Sequence, residues 1–187
     1  NGGAIDLTVA GEKIRGELLG QILEGFAQRE IPLKGTLDAE SHFRWENGTG
    51  TLTATLKPDD LAYANLGSAS GVLQVDTTLG GPASPRAKLT ISDAQVQAAE
   101  IKAEGVNASI TFSSFNPLAT PSAQLLTVDK LTVGQLEMAN GSVQFGMQSP
   151  QAIRVEATRW QVLGGALSAL PFEFNPNQPQ LQVTLRG

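Results

Sequence analysis

The residues that could do chemistry are few, and their spacing does not assemble a reactive site. His42 is the only histidine. It stands between Glu40 and Arg44 in an alternating stretch and reads as a solvated strand residue; zinc motifs built on two histidines are out of reach. Asp59-Asp60 follows Pro58 and reads as a turn, whereas a glycosidase pair opposes its carboxylates across a cleft. Glu100 and Glu104 flank an expected turn and read as solvated. The run Gly67-Ser68-Ala69-Ser70-Gly71 misses the G-x-S-x-G spacing of a nucleophile elbow and also reads as a turn. No P-loop and no G-x-G-x-x-G is present. The chain has no cysteine, which excludes disulfide frameworks and thiolate metal sites. Asn47, Asn107 and Asn140 each open an N-x-S/T triplet, read as chance matches in a chain rich in small residues. With no acid, base and nucleophile together, the expectation is a non-enzyme without cofactor or metal.

Charge narrows the partners. Lysine and arginine total 13 against 18 aspartates and glutamates, a net charge of −5, and the pI is about 4.9. The cations are scattered singly, so the positive footprint that nucleic acid demands is missing, as is a polybasic patch for anionic membrane. No apolar run reaches the length of a membrane-spanning helix. At 187 residues, 41% apolar and 17% charged, the chain has enough apolar surface to fold. It starts at Asn1 without methionine, carries no leader pattern, and stops at Arg186-Gly187 just after a strand pattern. We expect a single β segment, residues 1–187, of a longer extracytoplasmic protein.

The elements that must position these residues are strands. From Leu33 to Trp45 the odd positions are mostly apolar and the even ones polar (Lys34, Thr36, Asp38, Glu40, His42, Arg44). Only a strand sends alternate side chains to opposite faces. Asn47-Gly48 supplies turn chemistry, and Leu52, Ala54 and Leu56 then alternate with Thr53 and Thr55 up to Pro58-Asp59-Asp60, which reads as the end of that strand. The same pattern recurs at Ile5–Val9, Leu73–Leu79, Ala87–Ile91, Val106–Phe112, Val143–Met147 after an Asn140-Gly141 turn, Ile153–Ala157 and Leu181–Leu185. About ten to twelve short strands are expected, forming an all-β, antiparallel, curved and elongated sheet of serial hairpins over residues 32–187. One stretch breaks the pattern. Ile14, Leu18, Leu19, Ile22, Leu23 and Phe26 trace one helical face, which predicts an amphipathic helix over about residues 11–28. Segments 93–112, 129–145 and 155–174 echo one another as strand, turn, strand, the last turning at Gly164-Gly165, without a strict repeat.

The run Leu136 to Phe145, followed by Ile153 to Trp160, Gly164-Gly165-Ala166-Leu167 and Pro171-Phe172-Glu173-Phe174-Asn175-Pro176, resembles the C-terminal region of YdbH-like proteins. The helical stretch followed by Leu33-Lys34-Gly35-Thr36-Leu37 resembles it too, so the likeness covers most of the chain.

This resemblance implies an AsmA-like protein of the Gram-negative envelope, anchored in the inner membrane outside this segment and crossing the periplasm as a curved sheet with an apolar groove. It implies phospholipid as cargo, moved toward the outer membrane, and a small outer-membrane lipoprotein as partner, adding strands at the C-terminal edge. The family also carries an older "dicarboxylate transport" domain label. On this reading Leu73, Val75, Leu89, Ile91, Val106, Ile110, Phe112, Val143, Phe145, Met147, Ile153 and Val155 are candidates to line the groove, and Leu181, Val183 and Leu185 to form the partner-strand edge. Other readings stay open: a scaffold using sheet edges for strand addition, a dicarboxylate-binding module, or a membrane barrel. The alternation alone also fits a sheet whose dry face packs on a second layer.

Overall fold

The computed structural model describes residues 4–18, 21, 32–63, 67–80, 86–115, 118–149, 151–175 and 185–186. The strands are β1 (Ile5–Arg15), β2 (Leu33–Glu46), β3 (Thr49–Tyr63), β4 (Gly67–Gly80), β5 (Arg86–Ala98), β6 (Ile101–Phe112), β7 (Ser114–Phe115), β8 (Leu118–Ala119), β9 (Gln124–Val133), β10 (Leu136–Ser149), β11 (Ala152–Val162), β12 (Gly165–Ala169), β13 (Phe172–Phe174) and β14 (Leu185–Arg186). Twelve form one antiparallel sheet in the order β1-β2-β3-β4-β5-β6-β9-β10-β11-β12-β14, with β13 also on β11. The order is that of the chain, and the sheet does not close into a barrel. β7 and β8 pair with each other at the far end of the β6–β9 hairpin.

The expected β2–β3 hairpin is present. Glu46 opposes Thr49 across Asn47-Gly48, whose φ angles of 51° and 79° make the two-residue turn whose twist suits a hairpin. The β11–β12 turn has the same geometry one residue earlier than expected, at Leu163-Gly164, with φ of 49° and 80°. Asparagine tolerates that region; leucine there costs roughly 1–2 kcal/mol.

Several expected turns are bulges inside long strands. Pro58-Asp59-Asp60 lies within β3, Gly67–Gly71 opens β4, and Asn140-Gly141 lies within β10. Residues with positive φ fall on one transverse line: Lys13, Gly35, Asp60, Gly71, Asp93, Gly105 and Asn140. The pairing shifts register along that line at Gly11/Ile14, Lys34/Thr36, Leu56/Leu61, Ser70/Val72, Ile91/Ala94 and Ala139/Ser142. A bulge bends its strand and sharpens its twist, so bulges in neighbouring strands add up to a crease. Side chains take up donors that the crease frees. Lys13 N donates to Asp38 Oδ1 at 2.7 Å, and Asp93 N to Asn107 Oδ1 at 2.9 Å. At Gly71 a Cβ would lie 2.6 Å from Ala94 Cα, so only glycine lets these backbones meet.

The expected helix is corrected over its first part. Residues 11–15 belong to β1, where the bulge at Lys13 returns Ile14 to the row of Leu37. Gly16–Leu18 and Gln21 are helical; residues 19–20 and 22–28 of that expectation lie outside the described residues. Strand pairing with β2 outweighs the helical spacing over residues 11–15, where Gly11 would disfavour a helix by about 1 kcal/mol.

A second layer is missing among the described residues. Each strand packs on its ladder neighbours, and β8 alongside β10 is the sole addition among substantial contacts. Among the described residues no large side chain is fully buried. The chain exposes 12362 Å², whereas a compact 19.6 kDa monomer scales to about 8,600 Å².

Candidate functional site

Directly opposed residues of antiparallel strands share a face, so the registers assemble the apolar positions into rows. One row runs Gly11–Ala39–Leu56–Leu73–Ile91–Ala108–Leu126–Val143, from β1 through β10. At about 4.8 Å per strand it is roughly 34 Å long. Beside it runs Val9–Ser41–Ala54–Val75–Leu89–Ile110, and beyond that Leu7–Phe43–Leu52–Thr77–Ala87–Phe112. Phe145 opposes Val155, which opposes Phe172, and Met147 opposes Ile153, which opposes Phe174. Val106 sits at the crease in the row Ala94–Val106–Val128–Gly141. All twelve lining candidates therefore share one face. Of the edge candidates, Leu185 pairs with Ala169 in β12; Leu181 and Val183 lie outside the described residues.

Burial on this face is graded. Leu37, Ala94, Val106 and Val128, next to the crease, are between 4% and 8% exposed. Toward the strand ends the same face carries Ile5 at 57%, Leu79 at 37%, Ile101 at 47%, Val133 at 40% and Leu136 at 41%. Residues from both sides of the crease (Ile91 and Leu126, Ala103 and Leu131) pack on the Ala94–Val106–Val128 cluster, as does Trp160. A sheet bent toward its apolar side produces this gradient. Trp160 lies flat on Gly141, where a Cβ would run into the indole, and Trp45 covers Gly50 in the same way. In the sequence these glycines read only as turn residues, and the Leu126–Val128 pair did not stand out; its signal was the i+2 spacing of Leu126 and Val128, cut short by Asp129.

The polar residues on this face have partners. Gln124 accepts from Thr111 N through Oε1 at 2.9 Å, Thr158 Oγ1 accepts from Ala169 N at 3.1 Å, and the buried Thr120 Oγ1 accepts from Met147 N at 2.9 Å. No buried side-chain polar atom among the described residues lacks a partner.

The residues first weighed for chemistry lie on the polar face or in its turns. His42 Nδ1 is 3.0 Å from Thr8 Oγ1 and 3.6 Å from Asp6 Oδ1. Among the described residues no three His, Asp or Glu are grouped to hold a metal. Lys102 pairs with Glu104 and Lys130 with Glu137, each at 2.7 Å, and Glu104 opposes Lys130. The hydrogen bond from Lys102, then its charge and that of Lys130, hold the Glu104 carboxyl below its ordinary range. The bond to Glu137 and its charge hold Lys130 above its own. A cavity of about 790 Å³ lies on this side, lined by Lys130, Glu137, Arg159, Gln161 and Leu163 among others.

Among the described residues the apolar face is uncovered, while Lys102, Glu104, Lys130 and Glu137 pair with one another on the polar face. Residues 4–187 match the family described as YdbH-like, intermembrane phospholipid transport protein YdbH. The chain belongs to the YdbH-like family. No curated protein and no solved structure matches it. The description of the YdbH-like family names phospholipid as what is moved and membranes as the end points, and so places the chain in the cell envelope.

Proposed function

We propose that this YdbH-like segment carries phospholipid acyl chains along its creased apolar face, as part of a periplasmic path between the inner and outer membranes of a Gram-negative cell. The observation that carries this reading is the apolar row through eight neighbouring strands with no second layer over it among the described residues. A sheet dry on one face offers acyl chains a continuous trough, and large uncovered apolar patches mark binding surfaces. From Leu37 to Trp45 the wall rises about 26 Å at 3.3 Å per residue, against roughly 15 Å for the chains of one leaflet. The face thus has depth for a whole acyl chain, while the headgroup stays in water.

Native mass spectrometry of the gently purified chain is expected to find bound phospholipid. Ile110→Asp, on a half-buried wall, is expected to remove it while the far-ultraviolet circular dichroism is kept. A lipid-free chain, or an Ile110→Asp variant that retains its lipid, would sink the reading.

A second reading concerns strand addition. β1 is an 11-residue edge without proline, and its Ile5, Leu7 and Val9 are each more than half exposed. An edge of that kind is a template for another strand. A dicarboxylate site has less support, because Arg44, Lys102 and Lys130 already hold carboxylates at 2.7 Å, which leaves Arg159 as the one cation lining the 790 Å³ cavity without an ion pair among the described residues.

A further inference from the structure

Leu163 is 95% exposed, in a turn position that asparagine or glycine fills with less strain. The chain has the ordinary solution at Asn47-Gly48, in the same backbone geometry. Its backbone costs stability and its side chain gains nothing from the fold, which points to a use outside the fold.

Its surroundings suggest which use. Ile101, Val133 and Leu136 oppose one another in a single row at the ends of β6, β9 and β10. They are 40–47% exposed. Ala139 opposes Gln161, so two residues on Leu163 comes level with Glu137, at the tip of the same margin and on the polar side of the Leu136 row. One margin of the sheet thus carries four exposed aliphatic side chains from three consecutive hairpin ends. Behind the tip, the cavity of about 790 Å³ is lined by Lys130 and Arg159 together with Asp129 and Glu137. Arg159 makes no ion pair among the described residues, whereas Lys130 is held by Glu137.

We propose that this margin touches a phospholipid bilayer, with Leu163 entering the apolar layer and Arg159 left at the level of the phosphates. A bilayer accepts separate aliphatic side chains without a complementary pocket, and it offers phosphate to a guanidinium one strand-length behind them. The row Ile101–Val133–Leu136 is also the lower margin of the apolar face. A lipid leaving the bilayer here reaches the face without crossing water. The proposal rests on the lipid-carrying reading above and adds where the cargo enters or leaves.

The absence of cysteine makes the test direct. Leu163→Cys and, on the opposite margin, Asn47→Cys are each labelled with an environment-sensitive nitrobenzoxadiazole dye and mixed with vesicles of phosphatidylethanolamine and phosphatidylglycerol. The expected result is a blue shift and several-fold brightening at 163, with none at 47. Leu163→Asn is expected to raise the urea midpoint and to cut vesicle flotation several-fold. An unshifted dye at 163, equal shifts at both sites, or undiminished flotation of Leu163→Asn would overturn the proposal. Brominated phospholipid, which quenches tryptophan on contact, separates the two readings. Quenching of Trp45 and Trp160 with a silent 163 dye removes the bilayer contact alone; loss of both removes the lipid-carrying reading as well.

Discussion

The polar face of the sheet completes itself and the apolar face does not. On the polar side Lys102, Glu104, Lys130 and Glu137 form a chain of alternating charge over β6, β9 and β10. On the other side the rows end in side chains that are 37–57% exposed. The difference teaches where a ligand is needed. Charges in water satisfy one another for little net energy, but apolar surface is satisfied only by being covered, at about 25 cal/mol per Å².

The comparison is tested most severely at two adjacent residues of β9. Val128 is 5% exposed at the crease, and Thr127 points to the polar side opposite Asn107 and Ser142. Val128→Asp is expected to cost about 3–5 kcal/mol, the cost of an unpaired buried charge, and Thr127→Asp less than about 1 kcal/mol. Urea unfolding checks both, and equal losses would mean that the faces are not distinct. Next in size is Gly141→Val. Its side chain would have to displace the Trp160 indole, with an expected loss of about 1–3 kcal/mol and a red shift of tryptophan emission. An unchanged spectrum would show that the indole does not seal the crease.

The smallest effect belongs to the polar face. The folded-state pKa of Glu104 is lowered, so its contribution is present above its ordinary value of 4.5 and fades as pH falls through the folded value. That of Lys130 is raised, so its contribution is present below 10.5 and fades as pH rises through the folded value. Glu104→Gln should therefore lower the urea midpoint slightly at pH 7 and match the parent in strong acid. A difference that persists well below pH 4.5 would remove the ion chain as its cause.

Much of this was legible in the sequence. The alternation at Leu33–Trp45, Leu73–Leu79 and Val106–Phe112 placed each side chain on the correct face, because period two is a local property of strands. The crease was not legible as a crease. Pro58–Asp60, Gly71 and Asn140 carry the residue types of turns, and turns and bulges ask for the same backbone angles. Whether the chain reverses there or merely kinks is decided by whether the neighbouring strands run on, which no local window contains. Ile14 misled for a related reason: a bulge at Lys13 takes it out of the period-two series that ends at Val9, and its spacing of four to Leu18 fits a helical face. The exposure of the dry face was equally non-local, since alternation looks the same under a second layer.

The strand order follows the chain without a crossover, so each hairpin docks only on the one made before it. Such a chain can fold as it emerges, closing short loops in succession, and its stability accumulates from neighbour to neighbour as in repeat proteins. Reach then becomes a modular quantity. Each hairpin inserted or deleted would lengthen or shorten the sheet by about 10 Å. Because two strands go together, the faces of all the others would stay in place.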